Sequence, residues 1–384
     1  MQQRVRFSSR PLIVACITLA TFTDLVAYSI AVPVLPDYVT RFDASPTTLG
    51  LLFGSFGVTL LAVSIPMGAM SDRIGRKRPM VLATVILALS TLWFGFADSL
   101  PMLFGARMLQ GVADGMTWVV GFALIADLYG PEDRGRIMGL VMSATSLGII
   151  VGPSIGGWLY EVGGIRFPFL VVFAVAVFNT GLFLLTTIET RVRSVAVPMR
   201  RVLSHRAILM CAVTAVAGSA TVTMLEPVLP LVLNARFGFG PAQIGILFGT
   251  AAVASSVLHP IYGRLSDRWG GRRLMLMGLV LAALLLPMMN LAVGWRSAAA
   301  LMIGLSAVVS LIITPSLTYM AEATSSAGFG SFGVVYGLYN VAWGVGLMVG
   351  PMAGGVLLQR VGFLVLTVVW MVGLLGTALL VRRG

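Results

Sequence analysis

Gly68-Ala-Met-Ser-Asp72-Arg73-Ile-Gly75-Arg76-Lys77-Arg78 packs four cationic side chains and one acid into eleven residues, between two apolar runs each long enough to cross a bilayer. It recurs in weaker form 195 positions later as Gly263-Arg-Leu-Ser-Asp267-Arg268-Trp-Gly270-Gly271-Arg272-Arg273. A polar, sharply turning loop between membrane-length runs, present once in each half, indicates a duplicated multi-span protein.

Composition supports this. The chain is 58% hydrophobic and 10% charged, with a mean hydropathy of +0.97. A soluble domain needs far more surface charge. Runs of about 20 apolar residues predict twelve spans: 11–36, 47–70, 77–97, 101–127, 137–160, 167–189, 207–233, 242–262, 274–294, 298–321, 331–358 and 363–381. Orientation follows from Lys and Arg. With the N-terminus in the cytoplasm, the inner segments hold 20 of the 26 basic residues and the outer loops hold Arg41, Arg166, Arg236, Arg296 and Arg360. This bias accounts for most of the net charge of +12 without nucleic acid. Arg4, Arg6 and Arg10 precede the first run as in a signal peptide, but that run contains Asp24 and ends in prolines. It reads as a retained span. Cys16 and Cys211, also 195 apart, fall inside apolar runs and read as small buried residues.

The repeat extends well beyond the loop. Leu49-Gly-Leu-Leu-Phe-Gly54 returns as Ile244-Gly-Ile-Leu-Phe-Gly249, Pro33-Val-Leu-Pro36 as Pro227-Val-Leu-Pro230, and Asp127 as Glu322. Gly148-Ile-Ile-Val-Gly152-Pro153-Ser-Ile-Gly156-Gly157 returns as Gly346-Leu-Met-Val-Gly350-Pro351-Met-Ala-Gly354-Gly355. The expected organisation is two parallel six-helix bundles, 1–189 and 207–384, joined by the arginine-bearing linker 190–206. Gly148, Gly152 and Gly156 share one helix face, where a bare backbone lets another helix approach, and Pro153 permits a bend. His259 and His205 read as structural.

The Gly-x-x-x-Asp-Arg-x-Gly-Arg-Lys-Arg pattern at Gly68, Asp72, Arg73, Gly75, Arg76, Lys77 and Arg78 resembles the loop signature of the major facilitator superfamily. That resemblance implies an all-α membrane fold of twelve transmembrane helices in two pseudo-symmetric bundles, with a substrate site between them. It implies a cytoplasmic gate of Asp72, Arg73, Arg76 and Asp127, echoed by Asp267, Arg268, Arg272 and Glu322. The Gly148, Gly152, Pro153 and Gly156 run resembles the antiporter motif of the same superfamily, with plain helix packing as the alternative.

Asp24, Arg107, Asp114 and Glu226 are ionisable residues inside spans, where charge is costly unless it faces a partner or a cavity. Asp24 lies thirteen residues into its run, about 20 Å along the axis and near the midplane. Glu226 precedes Pro227 in the corresponding run of the second half. A carboxyl group in such a place can alternate between protonated and charged forms. Arg107 and Asp114 are two turns apart on one face, so an internal pair is one expectation and an independently titrating Asp114 is the other. Phe22, Tyr28, Phe53, Phe56, Trp118, Phe122, Tyr336, Tyr339 and Trp343 are the expected cavity wall, since aromatics suit lipophilic cations.

Four stretches are similar to the vesicular amine transporters among the twelve-span drug:proton antiporters. They are Asp24 with Val32-Pro-Val-Leu-Pro36, Met224-Leu-Glu226-Pro-Val-Leu-Pro230, Arg107-Met-Leu-Gln-Gly111, and Gly152-Pro153 with Leu159-Tyr-Glu161. The resemblance implies that Asp24 and Glu226 contact an amine and exchange protons; Arg107, Asp114 and Asn340 are further candidates for the substrate and proton site. The departures are Phe56 in place of a lysine, Ser310 and Asn340 in place of acids, and an additional Asp114. The large glycosylated loop is also absent, which suggests a bacterial plasma-membrane relative. The expectation is a monomeric exporter of lipophilic cations, driven by the proton gradient without a cofactor or metal, with proton-coupled uptake as the alternative. Neither a Walker motif nor a nucleophile–base constellation is present to suggest ATP-driven transport or an enzyme.

Overall fold

A computed structural model describes residues 9–129, 131–187, 205–326 and 332–383. Among them there are helices and turns and no strand. Eleven helices are long and apolar enough to cross a membrane. The last, Phe332–Arg383, is broken at Gly362, whose φ of 76° and ψ of 172° are open only to glycine. It therefore supplies two spans, 332–361 and 363–383, and the total is twelve. The linker expected at 190–206 lies almost wholly outside the described residues.

The helices extend past several of the apolar runs. Span 2 is Pro46–Ile74, span 5 is Pro131–Gly163 and span 8 is Pro241–Trp269. Proline stands first in each, where the missing N–H has no intrahelical partner to lose. Hydropathy marks the apolar part of a span, whereas backbone hydrogen bonding continues into its polar ends. Span 1 does the opposite. Its helix Arg10–Ser29 gives way to a 3-10 turn at Val32–Val34 and a short helix Leu35–Phe42, because Pro33 and Pro36 cannot donate to the ladder. Spans 3, 4, 6 and 7 are Lys77–Gly95, Leu100–Leu128, Phe167–Leu185 and Arg206–Phe237. Spans 9 and 10 are Gly271–Met288 and Trp295–Ser326. The two basic loops turn on Gly75 and Gly270, with φ of 86° and 83°. The repeat has preserved these two left-handed positions.

The chain forms two compact units. The first holds residues 1–42, 55–195 and 240–246, and the second holds 43–54, 196–239 and 247–384. The expected boundaries gave each half an unbroken stretch. The exchange of short segments has a local cause in the small residues. Within the first unit, Gly245 and Gly157 lie against the carbonyls of Pro153 and Pro241. Within the second, Gly50 and Gly355 lie against those of Pro351 and Pro46.

Each unit has its own core. Ile13, Cys16, Ile17 and Ala20 of span 1 pack on Met80, Met116, Val120 and Leu124 in the first unit. Ile208, Cys211, Ala212 and Ala215 of span 7 pack on Met320, Ala323, Tyr339 and Ala342 in the second. Both cysteines are free, fully buried members of these cores. Large apolar side chains such as Leu89, Trp158, Phe178 and Val372 are exposed, as membrane-facing surfaces require and soluble ones avoid.

The glycine face of span 5 is pressed onto span 1. A Cβ on Gly148 would lie 2.9 Å from the Phe22 carbonyl, and one on Gly152 would strike Ser29 Oγ. Span 11 meets span 7 in the same way: a Cβ on Gly350 would lie 2.5 Å from both the Ala220 carbonyl and Thr223 Oγ1. A contrast follows. Gly152→Ala and Gly350→Ala should each destabilise the protein by about 1–3 kcal/mol, despite alanine's preference for helix of about 1 kcal/mol. Ser29→Ala should largely rescue the first. Thr223→Ala should not rescue the second, because the Ala220 carbonyl is backbone and stays. Thermal unfolding in detergent of the single and double variants measures this, and equal rescue in both pairs would contradict it.

Candidate functional site

The first unit buries three charged groups close together. Asp24 of span 1 and Asp114 of span 4 are 1% and 5% exposed, and Arg107 of span 4 is fully buried. The Asp24 and Asp114 carboxyl groups lie within hydrogen-bonding reach of each other. Ionised carboxylates only accept, so a bond between them requires a proton. Asp114 Oδ1 also accepts from the indole Nε1–H of Trp118, one turn further along span 4, at 2.9 Å.

Arg107 occupies the next layer. One Nη–H group donates to the Tyr28 carbonyl at 3.1 Å and to Gln110 Oε1 at 3.0 Å. The guanidinium lies over the rings of Tyr28 and Phe56, 4.5 and 5.2 Å from their centroids. Gln110 is held in turn by Thr91. Helical side chains lean toward the N-terminus of their helix, which carries the Arg107 head away from Asp114 and toward Tyr28. Arg107 acts on Asp114 through its field, while the hydrogen-bonded partner of Asp114 on span 1 is Asp24. Two carboxyls and one guanidinium carry a formal charge of −1. One proton or one monovalent cation balances the cluster.

The expected wall residues separate into groups. Tyr28 and Phe56 are buried, lie with tilted rings 4.8 Å apart and flank Arg107. They hold the arginine instead of lining open space. Trp118 and Phe122 are half-buried neighbours with centroids 5.2 Å apart, and Phe22 is half-buried on span 1. Phe53 is fully buried in the second unit. Tyr339 belongs to the packed core there, its hydroxyl paired with Ser316 Oγ at 3.0 Å, and Trp343 packs against the same core. The side chain of Tyr336 lies outside the described residues. Glu226 is half-buried on span 7 and Asn340 is exposed on span 11. His259 Nδ1 pairs with Thr314 Oγ1 at 2.6 Å, tying span 8 to span 10.

The opening loop forms an ion-pair cluster around Arg76. Its Nε–H donates to Asp127 at 2.9 Å, one Nη group pairs with Asp72 at 2.6 Å, and the other donates to Ser71 Oγ. Arg73 is exposed and stands outside this cluster. The second copy departs from the expected echo. Gly271 occupies the position of Arg76, and a Cβ there would lie 2.8 Å from both the Pro315 carbonyl and Tyr319 Cβ. Asp267, Arg268 and Glu322 are exposed. Arg272 instead donates to the carbonyls of Val381 and Arg382 at the end of span 12, at 2.9 and 2.8 Å.

Lys77, in register with Arg272, does the same for span 6, donating to the carbonyls of Leu184 and Thr186. Each repeat thus places a cation on the unsatisfied carbonyls of its last helix. Sequence reading treated Lys77 only as part of the charge run. Its register with Arg272 was the available signal.

A twelve-span, two-unit helical protein with buried acids and a basic loop repeated in register has the build of a membrane transporter. The family model of the Major Facilitator Superfamily matches residues 17–231 and 211–383, and the chain belongs to that superfamily. An uncharacterized MFS-type transporter of Schizosaccharomyces pombe is 27% identical over 93% of this chain and 91% of its own length. The chromaffin granule amine transporter of Rattus norvegicus is 30% identical over 86% of this chain, which spans 63% of that relative. Among solved structures, a bacterial homolog to the human lysosomal transporter Spinster, inward-facing and unoccupied, superposes with a TM-score of 0.80 at 16% identity. It covers 98% of this chain and 97% of its own. At that identity the likeness speaks for the fold alone.

Proposed function

We propose that this transporter exports lipophilic or cationic amines in exchange for protons. The observation that carries the reading is the buried Asp24–Asp114–Arg107 cluster, whose formal charge is balanced by one proton or one monovalent cation. Proton and substrate then compete for one charge deficit, which is the minimum needed for exchange. The similarity to the chromaffin granule amine transporter supports an amine as cargo. The fold serves many cargoes and either direction, so the reading rests on the cluster. The protein works as a monomer in the plasma membrane of a bacterium, with both termini cytoplasmic and the proton gradient as its driving force. Glu226, half-buried on span 7, is a further acid in this reading and takes part in proton exchange. The cluster of Asp72, Arg76 and Asp127 acts as a gate that forms and parts during alternating access.

The test uses purified protein in liposomes with an imposed pH gradient and tetraphenylphosphonium, whose charge does not vary with pH. Uptake into acidic-lumen vesicles, collapsed by a protonophore, is the expected result. Accumulation with the proton gradient instead of against it would replace exchange by symport. The absence of gradient-driven movement across a panel of such cations would reject the cargo class.

A further inference from the structure

The acid pair is asymmetric. Asp114 accepts the Trp118 indole N–H at 2.9 Å and lies in the field of Arg107. Neither oxygen of Asp24 receives a bond from an N–H or hydroxyl group among the described residues, and its hydrogen-bonding neighbour is Asp114. A hydrogen bond between the two carboxyls needs one proton, so one is then the donor and the other the acceptor. The group already receiving an N–H bond is the better anion. That group is Asp114, which leaves the proton on Asp24.

We infer that Trp118 is a positioning residue: its indole N–H fixes Asp114 as the permanent anion of the pair, so that Asp24 is the member that releases its proton to admit the cation. This rests on the exchange reading above. Among the described residues, the titratable and charged groups facing the pair are Asp24 from span 1, and Asp114 and Arg107 from span 4. Span 2 contributes Phe56 beside Arg107, and span 5 contributes Gly148 against Phe22 and Leu25. None of these neighbours titrates. Trp118 therefore does more than line a wall. Its spacing of four from Asp114 places the donor directly over the carboxylate.

The experiment is equilibrium binding of tetraphenylphosphonium to the purified full chain across pH. It compares the wild type, Trp118→Phe, Trp118→Leu, Asp114→Asn and the double variant Asp114→Asn/Trp118→Phe. Removing the donor destabilises the anionic cluster, so the cluster keeps its proton to higher pH. The pH of half-maximal binding should rise by about one unit, a tenfold change in proton concentration, in both Trp118 variants. The midpoint and not the affinity at high pH is the readout, because Trp118 also stands among the aromatics expected to meet the cation. Asp114→Asn binds more weakly, since Asp24 and Arg107 then balance each other, and on the binding that remains the further loss of Trp118 should leave the midpoint unmoved. An unmoved midpoint in Trp118→Phe, or an equal shift in both backgrounds, would make Trp118 a wall residue and overturn the inference with the exchange reading intact. Binding by the wild type that is flat across pH would overturn both.

Discussion

Asp24→Asn should abolish proton-driven accumulation of tetraphenylphosphonium and weaken its equilibrium binding by at least about tenfold, equivalent to about 1.4 kcal/mol. Asparagine has the shape of the protonated acid and cannot ionise. With it in place, Asp114 and Arg107 balance each other, and the cluster no longer presents a net charge to a cation. Its amide can still donate to Asp114, so the site keeps its hydrogen bond and loses only its exchangeable charge. Neutral substrates should still equilibrate down their gradients. Glu226→Gln should also impair transport, though less, because Glu226 is half-buried and belongs to the other unit. Binding at two pH values, with flux measured in parallel for Asp24→Asn, Asp114→Asn and Glu226→Gln, separates the assignments. Because the two acids titrate as a pair, the midpoints belong to the pair and not to either residue. Normal cation binding and flux in Asp24→Asn, with lost flux in Asp114→Asn, would move the coupling group to span 4.

Much of this architecture was legible along the chain because hydropathy and repetition are one-dimensional signals. Twelve spans, the two basic loops and the matched glycine runs all emerged from spacing. The break at Gly362 and the turns at Gly75 and Gly270 follow from residue type. The site was less legible, and for a specific reason. Spacing along one helix tells which residues share a face; it does not tell which neighbouring helix that face meets. Arg107 and Asp114 share a face, but the tilt of helical side chains sends the arginine to the Tyr28 carbonyl, and span 1 brings Asp24 to Asp114. Tyr28 and Phe56 were legible as wall aromatics, whereas their placement around a guanidinium depends on three helices at once. The second loop misled for a simpler reason. It keeps the acid and the basic tail of the first but has Gly271 at the one position that organises the ion pairs, so its charges find other partners or water.

Asp127→Ala should destabilise the protein far more than Asp72→Ala, although both acids bind the same guanidinium. The side chains of Arg76 and Asp127 are 6% and 8% exposed, whereas that of Asp72 is 32% exposed. Removing Asp127 leaves the buried cation with only the half-exposed Asp72 and the Ser71 hydroxyl, and breaking a buried pair in this way costs up to about 3–5 kcal/mol. Asp72 contributes an i,i+4 contact that water already screens, worth about 0–1 kcal/mol. Arg76→Ala should resemble Asp127→Ala, because it strands the acid instead. Arg76→Met combined with Asp127→Leu removes both charges together and should recover most of the loss, since an apolar pair has no desolvation cost to offset. Chemical or thermal unfolding of these variants in detergent provides the energies, and transport assays on the same samples separate stability from gating. If Arg76 works as a gate, the double variant should be stable but slow, with substrate affinity retained, because the cluster holds none of the buried acids of the binding site. Normal turnover in the stable double variant would reduce the cluster to a structural brace. Equal destabilisation by Asp72→Ala and Asp127→Ala would show that burial does not set the strength of these ion pairs.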